Sequence, residues 1–285
     1  MRIFEGGKKL LSMSIFKGFE IGLKTYGKAI ELIFSKGLWW YFLFPVLLNL
    51  ILFIGGIYGI GSVANYVEGY LSGLANLDEA TFFGAVYLKS LMSGFVWVFF
   101  KFIFFVVFAT FGGYIVIIIL SPVFAILSEK VEEVLTGNSY PFSGDQLMRD
   151  VVRGVIIALR NMFIELGYLI LFFIIGFIPV IGQFAAVILF FISAYFYGFA
   201  FIDYTIERKR LTISQSIQFM RANKGMVIAN GSVFALAMLI PFCGVTLAGF
   251  VAIVSVVAAT IATFQVTGLN EGLNNKKIEG DDAKA

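Results

Sequence analysis

The stretch from Phe102 to Leu120 reads FIFFVVFATFGGYIVIIIL, 19 residues without one charged side chain. At about 1.5 Å of rise per residue, a helix of that length nearly covers a hydrocarbon core of about 30 Å. A transmembrane β-strand would instead alternate apolar and polar positions over about ten residues. The run is unbroken, so the spanning element it predicts is the α-helix. The rest of the chain agrees: 60% of its 285 residues are apolar, only 14% are charged, and 34 are Phe. A soluble domain is nearer to about a quarter charged. So much apolar side chain cannot be buried in a soluble core of this size, and most of it must face lipid. The predicted fold class is an all-α membrane protein.

Upstream of this run, the second span begins near Gly94, and Lys101 sits in its first turns, where a long stem can reach the headgroups. The first span runs from about Leu38 to Ile60, 23 residues, or about 35 Å of helix. Trp39, Trp40 and Tyr41 stand at its start, where aromatic rings anchor in the membrane interface. Within residues 1–36, Phe16, Phe19, Leu23, Tyr26, Ile30, Ile33 and Phe34 recur at steps of three and four, with Lys17, Glu20, Lys24, Lys28 and Glu31 opposite. That pattern predicts an amphipathic helix lying along the membrane surface. Seven Lys and Arg precede residue 37, whereas residues 62–93 hold Glu68, Asp78 and Glu79 against Lys89 alone. The bias places the N-terminus in the cytoplasm of a plasma (inner) membrane, and the basic residues of 121–161 and 202–226 on the same side. Residues 1–12 carry no continuous apolar core or cleavage signal, so no signal peptide is expected, and Met13 is an alternative start.

Two apolar hairpins follow residues 121–161, in segments 162–201 and 227–266, with the basic loop 202–226 between them and a flexible end at 267–285. The expected legs are 162–178 and 184–201, then 227–240 and 245–266. Their tips read Ile178-Pro179-Val180-Ile181-Gly182 and Ile240-Pro241-Phe242-Cys243-Gly244, so the pattern I-P-x-x-G recurs after 62 residues. Neither tip is charged. The leg 227–240 has 14 residues, about 21 Å, short of a core of about 30 Å, which predicts a re-entrant hairpin. The repeat favours the same geometry for the first hairpin. Pro179 and Pro241 stop each incoming helix, and Gly182 and Gly244 allow a sharp turn. Beyond each glycine a helix begins inside the membrane, where its free N–H groups and positive dipole end suit an anion, and Gln183 adds a donor. A plain Pro-Gly turn between packed helices is equally compatible with these residues. Asn49, Glu165 and Asn230 are further intramembrane polar groups, read as interhelical hydrogen-bonding partners, with Glu165 placed to pair with Arg160. Arg149, Arg153 and Arg160 share one face after Ser143 and suit acidic headgroups.

The chain has no His and a single cysteine, Cys243, so the common acid–base and metal-ligating constellations cannot be assembled. No phosphate-binding G-x-x-x-x-G-K-[ST] loop is present. Glu129 and Glu132 are the carboxylates an enzyme could use, but Lys130 and Glu133 beside them mark a solvated helix face. No catalytic residue, metal or cofactor is expected, and no nucleic-acid partner.

In this order of motifs the chain resembles the CysZ-type sulfate permease family of bacterial inner membranes, from about Ile15 to Thr267. The resemblance rests on Phe177 to Gln183 (FIPVIGQ) with Asp203-Tyr204 after it, on Ser121-Pro122 leading to Leu127-Ser128-Glu129, and on Phe44-Pro45 through Asn49. It implies two long transmembrane helices and two pairs of half-penetrating helices, assembled as a homo-oligomer that conducts sulfate for cysteine synthesis. It also implies an anion site at a Gly-Leu step followed by two arginines before the first long helix. Here that stretch reads Gly37-Leu38-Trp39-Trp40, with neither arginine. Two fixed charges able to hold an oxyanion are thus exchanged for interfacial aromatics. The sequence points to a channel or permease for a small inorganic anion, sulfate being the solute the resemblance implies. The rival reading is a structural or adaptor membrane protein of the same fold.

Overall fold

The computed structural model describes residues 14–51, 112–137, 143–176, 181–209, 211–240 and 244–282, with Ile54, Tyr66, Gly94, Val98 and Ile178 singly. Lys101, Pro179, Pro241, Cys243, the loop 62–93 and most of both long spans lie outside the described residues. Every regular element among the described residues is helical.

Helix α1 (Ile15–Ser35) ends where Gly37 takes up the left-handed conformation at φ 69°. The Lys36 amide donates back to the Leu32 carbonyl at 3.0 Å, closing the helix. A 3-10 turn, Leu38–Phe42, then leads into the first span, and the two helical stretches meet at 105°. The corner is a consequence of one glycine. Nothing lies within 4 Å of a Cβ built at Gly37, so Gly37→Ala meets only backbone strain and should cost about 1 kcal/mol. The loss is measured as a lower thermal midpoint of the purified protein, and Gly37→Asn should lose less because Asn tolerates this conformation.

The face that α1 turns to the protein takes in only part of the predicted aromatic stripe, namely Tyr26 and Ile33. Gly18, Gly22, Thr25, Ala29 and Ile33 are buried, while Phe16, Leu23, Ile30 and Phe34 stay exposed. Small residues let the helix approach α6 (Lys224–Met238) backbone to backbone; a Cβ at Gly22 would lie 2.9 Å from the Met226 carbonyl oxygen. The large apolar side chains are left for the bilayer, beside the charged face that carries the Lys24–Glu20 pair. The amphipathic reading therefore holds, with a second, protein-facing stripe that a two-faced pattern did not separate.

Helix α2 (Ser121–Thr136) carries Pro122 in its first turn and stops at Gly137, φ 73°. It follows the helical stretch Gly112–Ile119 with a bend of 63°. Helix α3 runs from Gly144 to Ile175, capped by the Ser143 hydroxyl, which accepts from the Gln146 amide at 3.4 Å. The end of the segment expected on the cytoplasmic side, from Gly144 on, and the first hairpin leg are thus one continuous helix. Helix α4 (Ile181–Arg208) and α5 (Ile213–Ala222) likewise absorb most of the residues read as a basic loop. Thr212 and Gln215 form a reciprocal capping box at the start of α5. Arg153 and Arg208, which look like loop residues in isolation, find partners on neighbouring helices. Helix α7 extends from Gly244 to Asp282, through the stretch read as a flexible end.

Gly144–Ile175, Phe184–Arg208 and Thr246–Gly268 are each long and apolar enough to cross a membrane. Helix α6, with 15 residues, reaches about 22 Å and is shorter than a bilayer core of about 30 Å. The last span is the central one: 72% of its apolar window is buried, against 22% for α3. Around it pack α1, α2, α4 and α6. Where α4 crosses α6, Gly198 and Gly231 place the two backbones in direct contact.

Candidate functional site

The predicted site residues fall at separate places. Gly37 and Leu38 form the corner between α1 and the first span, with Leu38 buried and Trp39 and Trp40 exposed beside it. Twelve helical residues farther on, about 18 Å along the axis, the Asn49 side-chain amide donates to the Thr246 carbonyl at 3.0 Å. Pro45 packs so close to Gly249 that a Cβ there would come within 2.6 Å of its ring. The first turns of the helix that opens at Gly244 are therefore docked on the stretch Pro45 to Asn49 of the first span. Gly244 itself donates its amide to the Ile240 carbonyl at 2.8 Å, and a Cβ on it would meet the Met238 carbonyl oxygen at 2.7 Å. That close return explains the glycine structurally. Gly182 and Gln183 lie in the first turn of α4.

Three buried polar knots tie the helices together. In the first, Arg153 of α3 donates to both carboxylate oxygens of Asp203 on α4, at 3.0 and 3.1 Å. The same guanidinium reaches the Leu211 carbonyl at 2.5 Å and the Ser216 hydroxyl at 2.7 Å, and lies 3.8 Å from Glu207. Arg153 is thus turned inward and spent on protein, which corrects its placement on a headgroup-binding face. In the second, Arg208 donates to Glu132 at 2.6 Å and to the Tyr204 and Ser128 carbonyls at 2.9 and 3.0 Å, joining α4 to α2. Glu132 is therefore no solvated carboxylate. Glu129, one of the family-pattern positions, is half-buried on the same helix, beside the exposed pair of Lys130 and Glu133 at 2.7 Å.

The third knot lies deeper. Glu165 is buried, and its two oxygens accept from the Tyr114 and Ser193 hydroxyls. It makes no ion pair with Arg160, contrary to the sequence expectation; Asn161, one residue on from Arg160, instead donates to the Phe196 carbonyl at 3.2 Å. Asn230 does act as an interhelical bridge, donating to the Ser255 carbonyl at 3.1 Å, while the Tyr26 hydroxyl sits 2.8 Å from Ser255 Oγ and donates to the Asn230 carbonyl. A run of hydroxyls, Ser128, Thr205 and Thr260, links α2, α4 and α7 at 2.9 to 3.2 Å. Apart from Arg208 and the Tyr204 carbonyl, one turn away, these partners are not visible in sequence, since each pair is separated by tens of residues. No group of His, Cys, Asp and Glu that could hold a metal occurs among the described residues.

Long apolar helices, pinned to one another by small-residue contacts and by hydrogen-bonded polar knots, define an α-helical integral membrane protein. Within that class the chain belongs to the family described as sulfate transporter CysZ/etoposide-induced protein 2.4, which it matches over residues 25–248. It is 27% identical over 218 residues to a sulfate transporter CysZ of Pseudomonas syringae pv. tomato, covering 75% of this chain and 81% of that protein. A sulfate transporter CysZ of Pseudomonas fluorescens Pf0-1 is also 27% identical, over 75% of this chain and 82% of its own length. A third, from Pectobacterium atrosepticum, is 30% identical over 126 residues, 44% of this chain.

Proposed function

We propose that this protein is a permease for sulfate or a closely similar small oxyanion in the inner membrane. The observation that carries the reading is that relatives named sulfate transporters align with three quarters of the chain, while the family as a whole matches residues 25–248. The fold supports it in two ways. Helix α6, at 15 residues, is shorter than a bilayer core of about 30 Å, which suits a re-entrant second hairpin, and the first turn of α7 packs on the first span through Thr246 and Asn49. The tip of such a hairpin carries backbone groups that need protein or a polar pathway as partners. We place both termini in the cytoplasm, from the basic residues ahead of the first span. We further propose that several copies assemble, so that the tips share one interior. Gly37, Leu38, Gly182 and Gln183 remain the proposed backbone and amide contacts along that route, whereas the Gly244 amide is taken by the Ile240 carbonyl.

The reading is tested by reconstituting the purified protein into liposomes and following radiolabelled sulfate. Uptake well above that of empty vesicles, down an imposed gradient and without nucleotide, is the expected result. Flux equal to empty vesicles removes the permease reading.

A further inference from the structure

Arg149 and Arg153 stand one turn apart on α3 and end differently. Arg153 turns inward to Asp203. Arg149 stays exposed, with Nη2 donating to the neutral Gln146 side chain at 3.0 Å, and it forms no ion pair among the described residues. The carboxylate of Asp150, next in the chain, is buried and accepts from the Gln146 side-chain amide.

Arg149 borders an open groove of about 430 Å³ between α3 and the start of α5. The wall on α3 is apolar: Met148, Val152 and Ile156 recur at steps of four, and all three are exposed. Thr212 and Ile213 form the opposite wall, so the positive end of the α5 dipole borders the same groove. The apolar wall continues down α3 through Leu159, Phe163, Ile170 and Ile174, at steps of three, four and seven, and these too are exposed. Only 22% of the apolar window of this span is buried inside the protein, so the stripe faces lipid. The groove is therefore the place where a lipid-facing stripe runs up to an exposed cation without a carboxylate. Apolar wall and cation together match an amphiphile with an anionic head. A soluble anion would use the cation alone.

We infer that the groove between α3 and α5 holds one anionic phospholipid, its phosphate against Arg149 and one acyl chain along Met148, Val152 and Ile156. The site is separate from any solute route, and stands whichever anion the protein carries.

The affinity of the first bound lipid is measured by native mass spectrometry on the full chain, delipidated in a neutral detergent and titrated with palmitoyl-oleoyl phosphatidylglycerol or phosphatidylcholine. Wild type should prefer phosphatidylglycerol by about fivefold, the contribution of one basic side chain beside an anionic headgroup. Arg149→Gln should reduce that preference to within about twofold, whereas Lys28→Gln, which removes an exposed cation on α1, should keep it whole. Val152→Gln makes the wall polar and should weaken both lipids by about threefold with the preference intact. Ile213→Gln should act likewise from the α5 side. All four side chains are exposed, so the variants should fold as wild type does, which thermal midpoints check. Full preference for phosphatidylglycerol in Arg149→Gln overturns the site, as does unchanged binding in both Val152→Gln and Ile213→Gln. Glycerol 3-phosphate, a headgroup anion without chains, should not displace the lipid; displacement at equal concentration would make this a free-anion site and end the lipid assignment.

Discussion

Gly198→Leu is expected to leave no monodisperse protein after detergent extraction, and Gly198→Ala to leave little. A Cβ at Gly198 would stand 1.9 Å from the Val227 carbonyl oxygen and 3.0 Å from the Gly231 amide nitrogen. The obstacles are backbone atoms of a helix, which cannot rotate aside as a side-chain end could. Gly231 is the mirror case, its Cβ falling 1.8 Å from the Ala194 carbonyl oxygen. Relieving either clash means separating α4 from α6, two of the most closely packed helices in the molecule. The cost should be about 3 kcal/mol or more, at the upper end of what overpacking does. Gly27 supplies the control, because nothing lies within 4 Å of its Cβ position. Gly27→Ala should be neutral or stabilising by up to about 1 kcal/mol, alanine being the better helix former. Size-exclusion profiles of the three variants after mild heating separate the cases; a normal profile for Gly198→Ala would mean that the two helices are not in contact there.

Arg153→Ala should destabilise by about 3–5 kcal/mol, the range found when one partner of a buried pair is removed. The Asp203 side chain is 3% exposed, so its carboxylate would be left without water or counter-charge. The Ser216 hydroxyl and the Leu211 carbonyl would lose their donor in the same step. Asp203→Asn alone should cost less, because Arg153 keeps those two partners and Glu207 at 3.8 Å. The double variant Arg153→Ala with Asp203→Asn should be less damaged than the sum of the singles, since the stranded charge is gone. Thermal midpoints of the four proteins close the cycle. Additive losses would show that the two side chains do not interact, and would return Arg153 to the membrane surface where the sequence pattern had put it.

Those two results test opposite kinds of legibility. Glycine at 198 and 231 is plain in the sequence, yet nothing there separates a glycine that admits another backbone from one, like Gly27, that faces open space. The difference lies in which helix crosses at that point. Arg153 misleads in another way. With Arg149 and Arg160 it forms a cationic stripe on α3, and a stripe read from one helix alone looks solvated. Only the approach of α4 and α5 supplies the carboxylate, carbonyl and hydroxyl that turn it inward. The continuity of α3 through its charged first half has the same origin. Helix α1 shows a finer failure: its aromatic residues announce the amphipathic helix, but beside Tyr26 and Ile33 the residues that touch protein are Gly18, Gly22, Thr25 and Ala29, whose small size carries no signal in a hydropathy pattern.

By itself the sequence determined the solvent of this protein, the helical nature of its spans and the family to which its motifs point. Those properties follow from local composition, because burying so much apolar surface in lipid and pairing the backbone within each helix require no knowledge of neighbours. Tertiary structure alone decided which cations are neutralised and which stay free. Whether an arginine meets a carboxylate depends on residues some 50 positions away being brought within 3 Å, as Arg153 and Asp203 are, and the packing of α3 against α4 sets that distance.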